Sequence, residues 1–204
     1  MSTLVWDTET TGLPAYDKRS NDPAQPHLVQ LALVLLDDAG REVEAVSVIV
    51  RPDGWTIPPE MTAIHGISHE QAVAEGIPER AAAMMFVAMQ SVARLRVAHN
   101  ETFDRRILRI AMTRAGIERD MIEAIEARAS YCTCNAAKPI VNLPPSPRML
   151  ARGMKGPKSP KLAECYLHFF GEPLSGASDP LGCPTQPTPS HPVPLPQAGE
   201  GDKP

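Results

Sequence analysis

The 204-residue chain contains no apolar run approaching the roughly 20 residues that cross a bilayer, so no membrane partner is expected. Its start holds no cationic segment leading into a cleavage site, and the expectation is therefore a cytoplasmic protein with reduced thiols. The four cysteines, Cys132, Cys134, Cys165 and Cys183, lack the paired Cys-x-x-Cys spacing of a zinc site. Cys132 and Cys134 are expected to pack rather than to ligate. Positive charge is also short: with a net charge of -4, the field of the whole molecule does not gather nucleic acid, and any such binding must be local. Acids, in turn, are missing from one stretch. Between Ala129 and Ala163 there is no Asp or Glu, while Lys138, Arg148, Arg152, Lys155, Lys158 and Lys161 all occur. That stretch fits a phosphate backbone, and fits equally a solvated loop with basic decoration. No internal repeat divides the chain.

What is present reads as one globular domain followed by a tail. Thr3 to Thr8 predicts a first strand, and Leu28 to Leu36 a second whose continuous apolar run implies burial on both faces. After the turn Asp37-Asp38-Ala39-Gly40, Val43 to Val50 completes an antiparallel meander. Ser68 and Gln71 fit a capping box opening a short helix that ends near Gly76. Pro78 then suits the first turn of a helix over Glu79 to Val92. Arg94 to His99 reads as a short strand, with Asn100 capping a helix from about Thr102 to Ala115 that Gly116 closes. Further helices are expected over Asp120 to Ala129 and Lys161 to Phe170, the latter burying Leu162, Tyr166, Phe169 and Phe170. Beyond Gly171, eight prolines from Pro173 to Pro196 oppose regular structure, so residues 178–204 are expected to form a Pro-rich disordered tail.

Two segments carry chemistry. Asp7-Thr8-Glu9-Thr10-Thr11-Gly12 directly follows an apolar strand, and residues two apart on a strand face the same way, so Asp7 and Glu9 project side by side. Two such carboxylates repel each other and lose hydration. A hard divalent cation, Mg2+ or Mn2+, relieves both costs. An isolated Asp-x-Glu would be read as two solvated acids; the complete string at a strand end favours the metal. The second segment is His99-Asn100-Glu101-Thr102-Phe103-Asp104. If Asn100 caps the helix, Asp104 lies about one turn inside it, and Phe103 can enter the core beside the first strand. Alone, that acid reads as a first-turn residue favoured by the helix dipole.

Together these strings resemble the first two exonuclease motifs of the DnaQ-like (DEDD, DEDDh-type) superfamily, whose members include the proofreading subunit of bacterial DNA polymerase III. Ala63-Ile64-His65-Gly66-Ile67-Ser68, Lys161-Leu162-Ala163-Glu164 and Phe170-Gly171-Glu172-Pro173-Leu174 extend the resemblance over about Leu4 to Ala177. It implies an α/β fold: a ribonuclease H-like mixed sheet, three antiparallel strands then parallel ones, flanked by helices and truncated at the C-terminal end, with residues 1–177 as the exonuclease domain. It also implies two divalent ions, Mg2+ or Mn2+, acting on the terminal phosphodiester of a single-stranded nucleic-acid 3′ end. Asp7, Glu9 and Asp104 match the metal-binding, catalytic acids. Thr10, Thr11, His65, His99, Asn100 and Phe103 match positions lining the groove for the terminal nucleotide. The partners implied are a single strand of DNA or RNA and, by analogy with the proofreading subunit, a DNA polymerase.

The resemblance breaks at the third motif, where the family carries Gly-Ala-His-Asp-Ala and a metal-binding Asp five residues after the histidine. Here Gly176-Ala177-Ser178-Asp179-Pro180-Leu181-Gly182-Cys183 puts Ser178 in place of the general base and Cys183 in place of the ligand. Loss of a positioned base typically costs about 10^2 to 10^4 in rate, and a thiol is a poor ligand for a hard cation. Pro180 opposes the helix the family builds there, leaving part of the sheet uncovered. The shift to a Pro-rich ending reads as a truncation or frameshift, with Asp179, His191 and Asp202 as distant substitutes that would have to fold back. The expected function is an impaired 3′-5′ exonuclease; the alternative is a module that binds nucleic-acid ends or a polymerase without turnover.

Overall fold

The computed structural model describes residues 2–174, so the third-motif positions, Ser178 and Cys183 among them, and the whole 178–204 tail lie outside the described residues. Five strands form one sheet in the order β3-β2-β1-β4-β5. β1 (Thr3–Thr10), β2 (Leu28–Leu36) and β3 (Glu42–Ile49) are the expected antiparallel meander. β4 (Leu95–Ala98) runs parallel to β1, and β5 (Ser130–Cys132) parallel to β4. This is the mixed sheet of three antiparallel and then parallel strands.

Alternation along β1 sets the two faces. Leu4, Trp6, Thr8 and Thr10 are buried on one side, while Val5, Asp7 and Glu9 point to the other. On the buried side, α3 (Glu79–Val92) and α4 (Glu101–Arg114) supply Phe86, Ile107, Leu108, Ala111 and Met112 to a core shared with Leu4, Trp6, Leu31 and Leu33. Trp6 and Phe86 meet there with ring centroids 5.1 Å apart. β2 is buried from Leu28 through Leu33, as its apolar run implied. The other side of the sheet stays partly open. Val5, Ala45 and Tyr131 are exposed, in one cross-strand row with Val34 and Val97.

Local signals account for most helix ends. Ser68 accepts a hydrogen bond from the Gln71 N–H at the start of α2 (His69–Glu75), but the Gln71 side chain donates to Glu75, so only half of the expected box forms. Gly116, at φ 70°, turns the chain after α4 and lets Ile117 N–H reach the Met112 carbonyl. Asn100 is a correction: it precedes α4 in the left-handed region, φ 68° and ψ 43°, and its side chain caps nothing. In that conformation its side chain makes no hydrogen bond to the first-turn N–H groups.

Four elements lie where no element was expected: α1 (Pro59–His65), β5, α6 (Thr133–Val141) and α7 (Pro147–Ala151). α5 (Arg119–Glu126) closes the edge beside α4. α8 (Leu162–Phe170) corrects a second expectation, because only Cys165 on it is buried, whereas Leu162, Phe169 and Phe170 are exposed. Helical spacing fixes which side chains share a face, not whether another element covers that face. α8 packs on α6 through the side that carries Cys165, and Tyr166 and Phe170 lean on each other at 4.6 Å. Among the described residues no helix is long and apolar enough to cross a membrane.

Candidate active site

The site is built at the end of β1, where β4 has already stopped. β4 pairs with β1 only as far as Val5, so the chain turning from Ala98 into α4 occupies the space beside Trp6 to Glu9. α4 enters that space with Asp104 in its first turns. The Asp104 carboxylate accepts from the Thr8 hydroxyl at 2.7 Å and from the Thr8 N–H at 3.2 Å. Thr8 directly follows Asp7 on β1, so this tie brings the acid of α4 within reach of the Asp7 charge, although the Asp7 and Glu9 side chains lean to the opposite face of the strand. Thr8 was missed in the sequence reading; its signal was an inward-facing hydroxyl in a strand whose neighbours on that face are apolar.

The electrostatics couple Asp7 to each of the other two acids. Burial raises the Asp104 carboxyl to about 8; the charge of Asp7 adds to the rise and the Thr8 hydrogen bonds oppose it. Burial and then the charge of Asp7 lift Glu9 to about 7. Asp7 is also raised by burial, against the Thr8 N–H and the nearby His99, which pull it down. Asp7 is thus the middle member, felt by both others. A hard cation would replace protons on these oxygens, and the donor chemistry fits one. Among the described residues, though, no three His, Cys, Asp or Glu side chains are grouped to hold an ion by themselves.

The expected groove residues separate into two sets. Thr10 and Thr11 spend their hydroxyls on the turn that follows β1: Thr10 donates to the Gly12 carbonyl at 2.7 Å, and Thr11 accepts from the His27 N–H at 2.8 Å. His99 is likewise engaged, with Nδ1 at 3.0 Å from the Thr133 hydroxyl and Nε2 at 3.1 Å from the Pro160 carbonyl. Those contacts bring the acid-free stretch back to the site, at the edge carrying Lys158 and Lys161; Lys158 pairs with Glu164. Phe103 is half-buried against the core and Asn100 is exposed. His65 is the one with unspent capacity. It is 3% exposed, its Nδ1 accepts from the Ile67 N–H, and its Nε2 is buried without a partner.

Cys134 and Cys165 are buried free thiols and Cys132 is half-buried, in keeping with packing roles. A cavity of about 490 Å³, lined by His27, Trp55, Glu79, Arg80 and Arg114 among others, includes none of the three acids. Two of its cations are spent on the fold. Arg114 donates to the carbonyls of Gln25 and Pro26, and Arg80 to that of Ala115.

Comparison with known proteins bears on this arrangement at two levels. Structures of exonuclease I share the fold, with a TM-score of 0.58 and 20% identity over 76% of this chain and 36% of theirs. A product-bound exonuclease I also gives 0.58 and 20%, covering 81% of this chain and 41% of that one. The E. coli enzyme in complex with a dT13 oligonucleotide gives 0.56 and 20%, covering 81% and 39%. The chain therefore spans about two fifths of the exonuclease I structures it matches. No curated protein matches it. The sequence family described as Exonuclease (RNase_T) matches residues 4–144, a stretch that includes β1, α4 and all three acids. With the acids on their strand and helix, and more than half of the chain inside that match, this protein belongs to the exonuclease family.

Proposed function

We propose that the chain acts on the 3′ end of single-stranded DNA or RNA as a DEDD-type exonuclease, with turnover reduced by the absence of the third motif. The observation that supports this reading is the tie from Thr8 to Asp104, which brings the α4 acid within reach of the Asp7 charge. Asp7, Glu9 and Asp104 would hold the divalent ions, Mg2+ or Mn2+. Bound there, such ions supply an activated water and neutralise charge on the phosphodiester. The residues themselves exclude bulk water from Asp104, keep the three oxygen donors mutually unbalanced until a cation arrives, and offer His65 Nε2 as a hydrogen-bonding group for the terminal nucleotide.

A second reading is favoured by His99. With both ring nitrogens engaged it does not serve as general base, and Ser178 stands where the family has one. A module that binds a single-stranded end with little or no cleavage fits this. A labelled single-stranded oligonucleotide incubated with Mg2+ or Mn2+, beside Asp7→Ala, separates the two. Metal-dependent shortening that the variant lacks establishes the enzyme; binding without shortening establishes the module. Absence of both would refute the assignment.

A further inference from the structure

α4 carries a second polar feature on the side away from its acid. Thr102, Arg105, Arg106 and Arg109 recur at the i, i+3, i+4, i+7 spacing of one helix face, opposite Asp104, Ile107, Leu108 and Ala111. With Tyr16 and Glu126 they line an open cavity of about 360 Å³, within the size range of small-ligand sites, roughly 300–1,000 Å³. Tyr16 lies on the loop that leaves β1 and is 65% exposed, and that loop is fastened to α4 where Arg106 donates to the Lys18 carbonyl at 2.6 Å and the Ser20 hydroxyl at 3.2 Å. Arg109 is matched by Glu126. Arg105 is the cation with most capacity left, its nearest acid oxygen being on Glu101 at 3.9 Å.

We infer that this groove receives the nucleotides that lead up to the 3′ terminus, Tyr16 stacking a base and Arg105 meeting a phosphate. The inference rests on the nuclease reading above and extends it from the terminal nucleotide to the strand behind it. Three features support it. Both walls spring from the elements that carry the acids, β1 and α4. The groove opens at Thr102, in the same turn of α4 as Asp104, and the Asn100 side chain makes no hydrogen bond to that turn, so a strand passing round the helix end meets the positive end of the dipole. From Thr102 to Arg109 the groove runs about 10 Å along the helix at 1.5 Å per residue, long enough for more than one phosphate of a single strand. A cationic groove with an exposed aromatic ring is how single strands are held without sequence preference. It also answers the net charge of -4, because the attraction is local.

The test is binding of a labelled oligothymidylate of about twelve nucleotides and of a thymidine dinucleotide, in EDTA so that nothing is cleaved. Proteins compared are the unaltered chain, Tyr16→Ala, Tyr16→Phe and Arg105→Ala, all changes on exposed or half-exposed side chains. The long strand should bind Tyr16→Ala about tenfold more weakly, with Tyr16→Phe retaining affinity. Arg105→Ala should lower the slope of log K against log salt by about 0.7. The dinucleotide should bind all four alike. If the unaltered chain binds the long strand in EDTA and shortens it when Mg2+ is restored, but the variants match its binding, the groove is refuted and the nuclease reading stands. Equal losses on both lengths also refute it, since the effect then belongs to the terminal site. If the unaltered chain binds no strand, both readings fall.

Discussion

Asp104→Asn should stabilise the metal-free protein, and the size of the effect follows from the site. An aspartate with an ordinary value of 3.8 is held at about 8 by burial and the charge of Asp7. At pH 7 the unfolded chain ionises this group while the folded chain keeps its proton, so folding costs up to about 4 kcal/mol at about 1.4 kcal/mol per pH unit. Because Asp7 shares the repulsion, about 2 to 4 kcal/mol is the working range. The sign is that of a raised carboxyl: its contribution is complete below about pH 4 and is lost as pH climbs towards 8. Asparagine keeps an acceptor for the Thr8 hydroxyl and N–H and carries no charge. Thermal unfolding in EDTA should therefore show the variant melting roughly 5 to 15 °C above the unaltered chain at pH 8, with a smaller gap at pH 5. His65, lowered by burial, contributes the opposite slope in both proteins and cancels in the difference. Mn2+ at pH 8 should raise the melting point of the unaltered chain more than that of the variant. Equal melting points at pH 8 without metal would show that Asp104 is not held against its charge, and the site argument would fail.

Two further substitutions test the surroundings. Thr8→Val removes the 2.7 Å hydroxyl bond to a buried carboxyl and should cost about 1 to 3 kcal/mol in urea unfolding; Thr8→Ser should recover most of it, and a neutral Thr8→Val would mean the hydroxyl does not hold Asp104. Gly76→Ala would place a methyl 2.4 Å from the Ala72 carbonyl oxygen and 2.5 Å from the Arg51 nitrogen, a clash of backbone against backbone that should cost about 1 to 3 kcal/mol. A loss below about 0.5 kcal/mol would show that α2 and the chain at Arg51 separate freely there.

The fold was legible where the chain states a period or a stop. The β2 run and the Pro78-led helix have the expected bounds, Leu28–Leu36 and Glu79–Val92. It was illegible where signals are short or contradictory. Pro58-Pro59 reads as loop, yet Pro59 sits in the first turn of α1, where its missing N–H has no partner to lose. Pro139 argues against a helix, and α6 carries it in its last turn. β5 has three residues, too few for alternation to show, and exists because β4 offers it an edge. Asn100 was the right residue type for a cap in the wrong conformation for one.

The acids proposed for the site stand out in the sequence; their connections do not. No periodicity says that Thr8 will bind Asp104, or that the basic stretch will return through Pro160 to occupy His99. Those two contacts divide the proposed chemistry. The first keeps an acid buried beside the charge of Asp7, a cost of up to about 4 kcal/mol that comes first from burial and then from repulsion, with no structural return unless a cation takes it up. The second removes the nearest imidazole from proton transfer. On the proposed reading, cation and strand binding would outlast turnover. Mn2+ affinity and single-strand affinity should persist in this chain even where hydrolysis is slow, and a base supplied in solution, such as imidazole, should speed shortening of the strand. If imidazole leaves the rate unchanged while metal and strand both bind, the missing base is not what limits this exonuclease, and the loss of a metal-binding carboxylate at Cys183 becomes the cause to test.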